Sequence, residues 1–325
     1  MGSGSWGTAF ALVLCDAGNE VRLWARRPEL AARINSDHRN LDYFPSIELP
    51  SSLVALTDPA EAMDGADFVV LAVPSQSLRA NLGGWALPPA AIVVSLAKGI
   101  EIGTGLRMSE VVADAGGVPP ERIAVVTGPN LAREIAERLP SASVVASTSA
   151  ATAEALQGVC HTRRFRAYTN PDVIGCELGG ATKNVIALAV GMAQGLGLGA
   201  NATASVITRG LAEIARLGSA LGADPHTLSG LAGLGDLVAT CSSPLSRNRS
   251  FGEEIGRGRT VAEITAATRQ VAEGVKSCAS IEDLAERHQV EMPIVAAVAD
   301  VIAGRTTAPE MIESLMRRAA RPERY

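Results

Sequence analysis

The sequence predicts an α/β fold with a doubly wound, mostly parallel sheet over residues 1–180, followed by an all-α domain over residues 181–325. Three observations carry this prediction. The chain has 325 residues, which is more than one ordinary core needs and enough for two domains. Up to about residue 175, short apolar runs alternate with helical patterns, as in a parallel sheet covered on both faces. Beyond Glu177, no run resembles a strand.

The predicted strands are short, mostly apolar runs at residues 21–24, 68–73, 92–96, 123–126, 143–146 and 165–168. Helical spacing of small apolar residues predicts helices between them at 8–17, 27–36, 58–65 and 150–159, the last capped by Ser149. Further helices are predicted at 175–199, 202–221, 225–231, 251–257, 261–267, 278–288, 294–303 and 309–316. The longest apolar run, 185–193, is shorter than the ~20 residues that span a bilayer, which indicates a buried core helix.

Composition excludes several classes of partner. The formal charge of −5 and the aromatic content of 3% argue against a protein that coats nucleic acid or an anionic membrane. The five cysteines form no closely spaced pair, and no basic-then-apolar segment opens the chain, so a reducing compartment fits best. We expect no nucleic-acid partner, no membrane insertion, no metal site and a cytoplasmic location.

A glycine-rich turn, GSGSWG over residues 2–7, precedes the first predicted helix. In a dinucleotide-binding turn, Gly2, Gly4 and Gly7 would allow the backbone to approach a pyrophosphate that binds at the helix amino terminus. The helix and strand that follow favour a Rossmann-type nucleotide-binding domain over a glycine turn of purely structural use.

The same turn lacks the strand that normally leads into it. Only Met1 precedes Gly2, whereas such a turn usually follows a buried strand of about 4–8 residues. We therefore expect the first strand to be missing, with the edges of both neighbouring strands exposed and the turn loosened. A start codon assigned too late, or a trimmed chain, would explain this, and an in-frame apolar segment upstream in the coding sequence would support that explanation.

The end of the next predicted strand carries Arg26 and Arg27 in place of an acidic residue. An acidic residue there would hold the ribose hydroxyls of NAD and repel a 2′-phosphate, whereas arginine forms charge-assisted hydrogen bonds to it. This favours NADP(H) as the preferred cofactor, with NAD(H) as a second possibility. The alternative is that one of the two arginines is a solvated residue at the start of a helix.

Other polar side chains follow predicted strands or interrupt apolar helices. Lys98, Gly128 and Asn130 come after strands, where open α/β sheets bind ligands, although a lone lysine there is more often on the surface. Lys183 lies inside an apolar helix, where desolvation would suit it to general acid–base work unless it reaches the surface. Asp236 between glycines, followed by a polar cluster at residues 246–249, suits a phosphorylated substrate or is simply a polar loop.

The motifs GSGSWGTAFA, LAKGIE, TGPNLAREIA, GGATKNVIALAVG, GLGDLVATCSSPLSRNR and VAEGVKS extend along almost the whole chain. In this order they resemble the bacterial NAD(P)-dependent sn-glycerol-3-phosphate dehydrogenases. The resemblance implies a Rossmann domain with a helical substrate domain, a homodimer, and reversible hydride transfer between NAD(P)H and dihydroxyacetone phosphate. The product, sn-glycerol 3-phosphate, would serve phospholipid synthesis.

The resemblance also implies roles for individual residues. Lys183 would be the general acid and base at the C2 oxygen, Asp236 would orient Lys183 or the substrate, and Lys98 would touch both substrate and cofactor. The cofactor would contact Ser5, Trp6, Arg26, Arg27, Lys98, Ala132, Arg247, Val271 and Glu273, besides the three glycines. The substrate would contact Lys98, Gly128, Asn130, Lys183, Asp236, Ser246, Arg247 and Asn248. The family usually has Ser and Phe where this chain has Asn130 and Leu131.

Two other functions stay open at this point. Another two-domain dehydrogenase, of the β-hydroxyacid or 3-hydroxyacyl-CoA type, would combine the same kind of domains with a lysine or histidine on a helix. A non-catalytic nucleotide-binding relative is the second alternative, because the amino terminus lacks a strand. The cluster at residues 246–249 favours a small phosphorylated substrate over the first alternative.

Overall fold

Short strands form two pieces of sheet in the first half of the computed structural model, which describes residues 1–267 and 272–319. The strands are β1 Arg22–Trp24, β2 Val54–Leu56, β3 Phe68–Leu71, β4 Ile92–Ser95, β5 Ile123–Thr127, β6 Ser141–Ala146 and β7 Phe165–Asn170. β1 and β2 pair in parallel, and the second piece has the order β3-β4-β5-β6-β7. Within that piece only β5 and β6 are antiparallel. The prediction of a mostly parallel sheet is confirmed.

Met1 and Gly2 lie between the two pieces of sheet. The Met1 carbonyl accepts a hydrogen bond from Ala72 N at 2.9 Å, and Gly2 N donates to Trp24 O at 3.2 Å. Met1 N also donates to Val70 O at 2.6 Å. A cavity of about 300 Å³, lined by both of these residues and by residues of β1 and β3, adjoins them. Met1 and Gly2 thus form backbone hydrogen bonds to β1 and to the end of β3. They lie at the position where the sequence predicts that the first strand is missing.

Helices cover both faces of this sheet. Successive residues of a strand point to opposite faces, so an apolar strand needs helices on both sides to bury its side chains. Val93 of β4 packs in one apolar cluster with Val69, whereas the next residue, Val94, packs in another with Val126. The helices are α1 Ser5–Asp16, α2 Pro28–Asp37, α3 Pro59–Met63, α4 Leu78–Leu82, α5 Met108–Gly116, α6 Ala132–Ala136 and α7 Ala150–Cys160. The doubly wound arrangement follows from this two-sided coverage.

Several elements differ from the sequence prediction. The pattern did not predict β2, α4, α5 or α6, most of which have three to five residues and so hold too little periodicity. Helix α1 begins at Ser5 rather than residue 8, since the turn leads directly into it. The predicted cap of α7 is confirmed, because the Ser149 side chain accepts from Thr152 N.

The second half is helical throughout its described part, with no strand after Asn170 in residues 171–267 and 272–319. Its helices are α8 Val173–Gly195, α9 Ala200–Ala220, α10 Pro225–Ser229, α11 Asp236–Ser242, α12 Arg247–Gly256, α13 Val261–Ala267, α14 Glu273–Arg287, α15 Pro293–Ile302 and α16 Ala308–Met316. Asp236 begins a helix, so the alternative of a simple polar loop does not describe its position. One prediction is corrected: α12 begins at Arg247 instead of residue 251. Four polar residues at the start of α12 hid its helical pattern.

The central helix α8 is long and apolar enough to cross a membrane, but 94% of its most apolar window is buried by the rest of the protein. The prediction of a buried core helix is therefore confirmed. Helix α12 packs so closely on α8 that a Cβ on Gly191 would lie 2.0 Å from Arg249 O, and one on Gly252 would lie 2.1 Å from Leu188 O. Glycine at both contacts lets the two backbones touch. Helix α8 continues across residue 180. The predicted boundary between the two domains at residues 180 and 181 therefore stays a prediction.

Candidate active site

The glycine-rich turn leads into the amino terminus of α1. Gly2 has φ +119°, and a Cβ there would lie 2.7 Å from Ala72 O, so the position requires glycine. A Cβ on Gly7 would lie 2.0 Å from Gly2 O, whereas the Cβ position of Gly4 has nothing within 4 Å. No side chain caps α1, which leaves its first N–H groups available. The turn is therefore closed against the sheet and open above Gly4, as a pyrophosphate-binding turn requires.

Arg26 and Arg27 follow β1, at the carboxyl edge of the sheet. Both are exposed, and Arg27 forms an ion pair and hydrogen bond with Asp42. This bond to Asp42 raises the pKa of the Arg27 guanidinium above its ordinary value. The structure thus places two exposed arginines directly after β1, one of them held by a carboxylate.

Lys98 follows β4 and reaches across to the helical domain. Its Nζ donates to Gly128 O at 3.0 Å and to Asp236 Oδ2 at 2.6 Å. Burial lowers the pKa of Lys98 to about 8, because the loss of hydration and the nearby Lys183 outweigh the attraction of Asp236. The alternative of a surface lysine does not hold, since the Lys98 side chain is only 15% exposed.

Lys183 lies on α8 and is 6% exposed. Its Nζ donates to Asp236 Oδ1 at 2.5 Å and to Thr240 Oγ1 at 2.6 Å, so it does not extend to the surface. Asp236, 1% exposed, therefore accepts from a lysine on each of its two oxygens. Lys183, Asp236, Lys98 and Thr240 form a buried cluster that we call the lysine–aspartate site.

Asp236 reaches this position because α11 is preceded by a turn of π-helix, Leu231–Gly235. Such turns are frequent at functional sites. A Cβ on Gly179 would lie 2.5 Å from Ala232 O, so glycine in α8 lets the π-helical turn approach. Thr240, one helical turn after Asp236, was missed in the sequence; its spacing of four residues on one helix was the available signal.

A second polar network continues from the lysine–aspartate site along α8. Asn248 donates to Asn184 Oδ1 at 2.9 Å and accepts from Gly274 N at 2.9 Å. Ser246 caps α12 by accepting from Arg249 N. Glu273, beside Gly274, accepts from Ser75 Oγ at 2.8 Å, which joins α14 to the sheet domain. Ser75 was also missed, because it stands in no recognisable motif, and Asn184, beside Lys183 in the motif GGATKNVIALAVG, was given no role.

Three predicted residues lie apart from these bonds. Arg247 is exposed at the start of α12, and Ala132 begins α6. Asn130 donates to Ser143 Oγ at 3.1 Å, not to the lysine–aspartate site. Val271 lies outside the described residues.

Several buried polar atoms near the predicted sites have no hydrogen-bond partner within residues 1–267 and 272–319: Trp6 Nε1, Thr127 Oγ1, Asn130 Oδ1, Thr182 Oγ1 and Ser277 Oγ. Thr127 Oγ1 would lie 2.9 Å from a Cβ on Gly180, in a contact that also includes Lys98. Buried polar groups are costly when unsatisfied, so such a set fits the binding of polar ligands. Within the same described ranges, no three His, Cys, Asp or Glu residues form a group that could hold a metal ion.

The fold and the site together define a two-domain dehydrogenase, with a dinucleotide-binding turn in one domain and a buried lysine in the other. Residues 1–153 match the family model of the NAD-dependent glycerol-3-phosphate dehydrogenase N-terminus, and residues 172–313 match that of the C-terminus. The chain therefore belongs to the NAD-dependent glycerol-3-phosphate dehydrogenase family.

Similar proteins extend over almost the whole chain. Glycerol-3-phosphate dehydrogenase [NAD(P)+] of Thermobifida fusca is 62% identical, over 100% of this chain and 98% of its own length. The enzyme of the same name from Streptomyces griseus is 61% identical, over 99% and 97%. The crystal structure of glycerol-3-phosphate dehydrogenase from Coxiella burnetii is 38% identical, with a TM-score of 0.93 over 98% of this chain and 97% of that one.

Proposed function

We propose that this chain catalyses the reversible reduction of dihydroxyacetone phosphate to sn-glycerol 3-phosphate with NADPH, and less readily with NADH. The observation that carries the proposal is the lysine–aspartate site, buried between the sheet domain and α8. Membership of the family supports the same reaction.

The residues of the sheet domain fit a dinucleotide. Gly2, Gly4 and Gly7 leave room for a pyrophosphate, with Ser5 and Trp6 beside it, and Arg26 and Arg27 face the 2′-phosphate. Lys98, Ala132, Arg247, Val271 and Glu273 are the remaining residues proposed to contact the cofactor. When bound, the nicotinamide cofactor supplies or takes up the hydride.

Lys183 holds and moves the proton. In reduction its Nζ donates a proton to the C2 oxygen of the ketone, and in oxidation it accepts that proton from the hydroxyl. Asp236 holds Nζ at 2.5 Å, and Thr240 holds it at 2.6 Å, so the ammonium is fixed before substrate enters. With both lysines protonated, the site has a formal charge of +1 from two ammonium groups and one carboxylate.

This positive charge suits an anionic substrate and a developing negative oxygen. Lys98 and Lys183 stabilise that oxygen, with Asp236 fixing both. We propose that Gly128, Asn130, Ser246, Arg247 and Asn248 contact the glycerol phosphate. Arg247 is exposed at the start of α12, where it would meet the phosphate as it enters.

The setting of the reaction is part of the proposal. We propose that residues 1–180 bind the cofactor and residues 181–325 bind the substrate, that the chain forms a homodimer in the cytoplasm, and that the product enters phospholipid synthesis. Five free cysteines are consistent with a reducing compartment. Light scattering after size-exclusion chromatography tests the homodimer.

The experiment that tests the function follows NADPH oxidation at 340 nm with dihydroxyacetone phosphate, 3-keto acids and 3-ketoacyl-CoA as separate substrates. We expect turnover with dihydroxyacetone phosphate and not with the other two substrates. At low cofactor concentration, this turnover should be faster with NADPH than with NADH. Turnover restricted to a keto acid or an acyl-CoA would assign the chain to the other type of dehydrogenase. Folded protein that binds NADPH without turning over any substrate would indicate a nucleotide-binding relative.

A further inference from the structure

Asn40 is a fully buried side chain in the loop after α2, far in sequence from the glycine-rich turn that it contacts. Its Nδ2 donates to Ser3 O at 3.0 Å and to Thr8 Oγ1 at 2.9 Å. Thr8 Oγ1 also donates to Ser3 O at 3.3 Å. The carbonyl of Ser3, in the middle of the turn, is thus held by two side chains.

The loop holds Asn40 itself in place. Phe44 N donates to Asn40 O at 2.7 Å, and Tyr43 N donates to the same oxygen at 3.2 Å. Because the backbone of Asn40 is fixed in this way, its amide presents a rigid donor to the turn. The glycines of the turn have no side chains that could do so.

Because the peptide bond is planar, the contacts that hold Ser3 O also fix the direction of the next amide, Gly4 N–H. In a trans peptide the C=O of one residue and the N–H of the next point in opposite directions. Because Ser3 O points inward to Asn40 and Thr8, Gly4 N–H points outward, to the side that is open above Gly4. No hydrogen bond of the described residues uses Gly4 N–H, so it is available to a ligand.

We propose that Asn40 is a positioning residue for the cofactor: by holding Ser3 O, it aims Gly4 N–H at the pyrophosphate of the bound dinucleotide. This rests on the proposed function. Both NADPH and NADH carry the pyrophosphate, so Asn40 acts equally on the affinity for each. It has no effect on the ketone substrate once the cofactor is bound.

The test measures Kd for NADPH and NADH by isothermal titration calorimetry for the wild type, Asn40→Ala and Asn19→Ala. Asn19 is a matched control, because its Nδ2 also donates to two backbone carbonyls, Leu14 O and Val159 O, near the opposite end of α1. We expect Asn40→Ala to raise both Kd values about tenfold, equivalent to about 1.4 kcal/mol. Asn19→Ala should leave both within about twofold while lowering Tm to a similar extent.

Steady-state kinetics of the same variants separate positioning from general loosening of the fold. With Asn40→Ala, KM for the cofactor rises, while kcat and the KM for dihydroxyacetone phosphate at saturating cofactor stay unchanged. Unchanged Kd values in folded Asn40→Ala, or an equal rise in Asn19→Ala, would overturn the proposal.

A second variant covers the case in which Asn40→Ala does not fold. Thr8→Val keeps the shape of the side chain and removes the hydroxyl, which accepts a hydrogen bond from Asn40 Nδ2 and donates one to Ser3 O. We expect it to raise both Kd values about threefold, and unchanged values would overturn the proposal. If the wild type bound neither cofactor, the proposed function would fail and this inference with it. If the wild type bound both cofactors and the variants bound them with the same Kd values, the inference alone would fail.

Discussion

Lys183 Nζ lies 2.5 Å from Asp236 Oδ1, and both side chains are almost completely buried. An isolated ammonium in such a place would be strongly destabilised, and so would an isolated carboxylate. Asp236 also pairs with Lys98, so the cluster has two ammonium groups and one carboxylate. This arrangement keeps a proton donor and a positive charge at one buried point, which a ketone reduction requires.

The pKa of Lys98 predicts the alkaline limb of the pH profile. Because burial lowers that pKa to about 8, the ammonium loses its proton as pH rises above 8. We expect kcat/KM for dihydroxyacetone phosphate to fall roughly tenfold between pH 8 and pH 9.5. Lys98→Arg keeps its charge over this range, so its lower activity should stay nearly level. A limb at the same pH in Lys98→Arg would contradict the assignment. Recovery of wild-type activity on return to pH 7.5 excludes irreversible inactivation, and an unchanged circular dichroism spectrum at pH 9.5 excludes unfolding.

Part of this site could be predicted from the sequence, and part could not. A lysine inside an apolar helix is a strong local signal, which is why Lys183 was found. The sequence left Asp236 open between a site carboxylate and a residue of a polar loop, because the π-helical turn before it breaks the helical period. Asn40 gave no signal, since its bonds to residues 3 and 8 depend on how the loop after α2 folds back over the turn.

The two arginines after β1 predict discrimination between cofactors. Arg26→Ala combined with Arg27→Ala should raise the Kd of NADPH by about tenfold to a hundredfold, because charge-assisted bonds to the 2′-phosphate are lost. The Kd of NADH should change by less than about twofold. Arg33→Ala, which removes an exposed arginine further along α2, is the control. Equal losses for the two cofactors would refute a 2′-phosphate site.

The ion pair between Asp42 and Arg27 predicts a variant that binds NADPH more tightly. Asp42 competes with a 2′-phosphate for the Arg27 guanidinium and adds a like charge near it. Asp42→Asn should therefore lower the Kd of NADPH by about threefold and leave that of NADH unchanged. Asp37→Asn removes a charge at the end of α2 and should change neither Kd. The account of Arg27 would be wrong if Asp42→Asn weakened NADPH binding.

Glu213 predicts how stability depends on pH. It is buried on α9 and accepts from Ile294 N and Val295 N at the start of α15. Burial raises its pKa from 4.5 to about 7, although these N–H groups and the charges of Arg216 and Arg318 oppose the shift. The folded state therefore holds a proton that the unfolded state releases near pH 4.5, so stability falls as pH rises from 4.5 to 7.

Replacing Glu213 with glutamine removes this dependence. At about 1.4 kcal/mol per pKa unit, the wild type should lose roughly 3 kcal/mol more than Glu213→Gln between pH 5 and pH 8. Urea unfolding at both pH values measures the free energy, with Glu154→Gln, an exposed site on α7, as the control. Parallel losses in the wild type and Glu213→Gln would show that Glu213 does not titrate in this range.

The most direct test of the central claim is single-turnover and steady-state reduction of dihydroxyacetone phosphate by Lys183→Ala, with the Kd of NADPH measured on the same protein. We expect kcat to fall by about a hundredfold to ten-thousandfold, the usual contribution of a positioned general acid. The Kd of NADPH should stay within about threefold of the wild type, because the Lys183 Nζ bonds to Asp236 and Thr240 and not to the glycine-rich turn. Near-normal kcat in Lys183→Ala would contradict the account and remove Lys183 from the catalytic role.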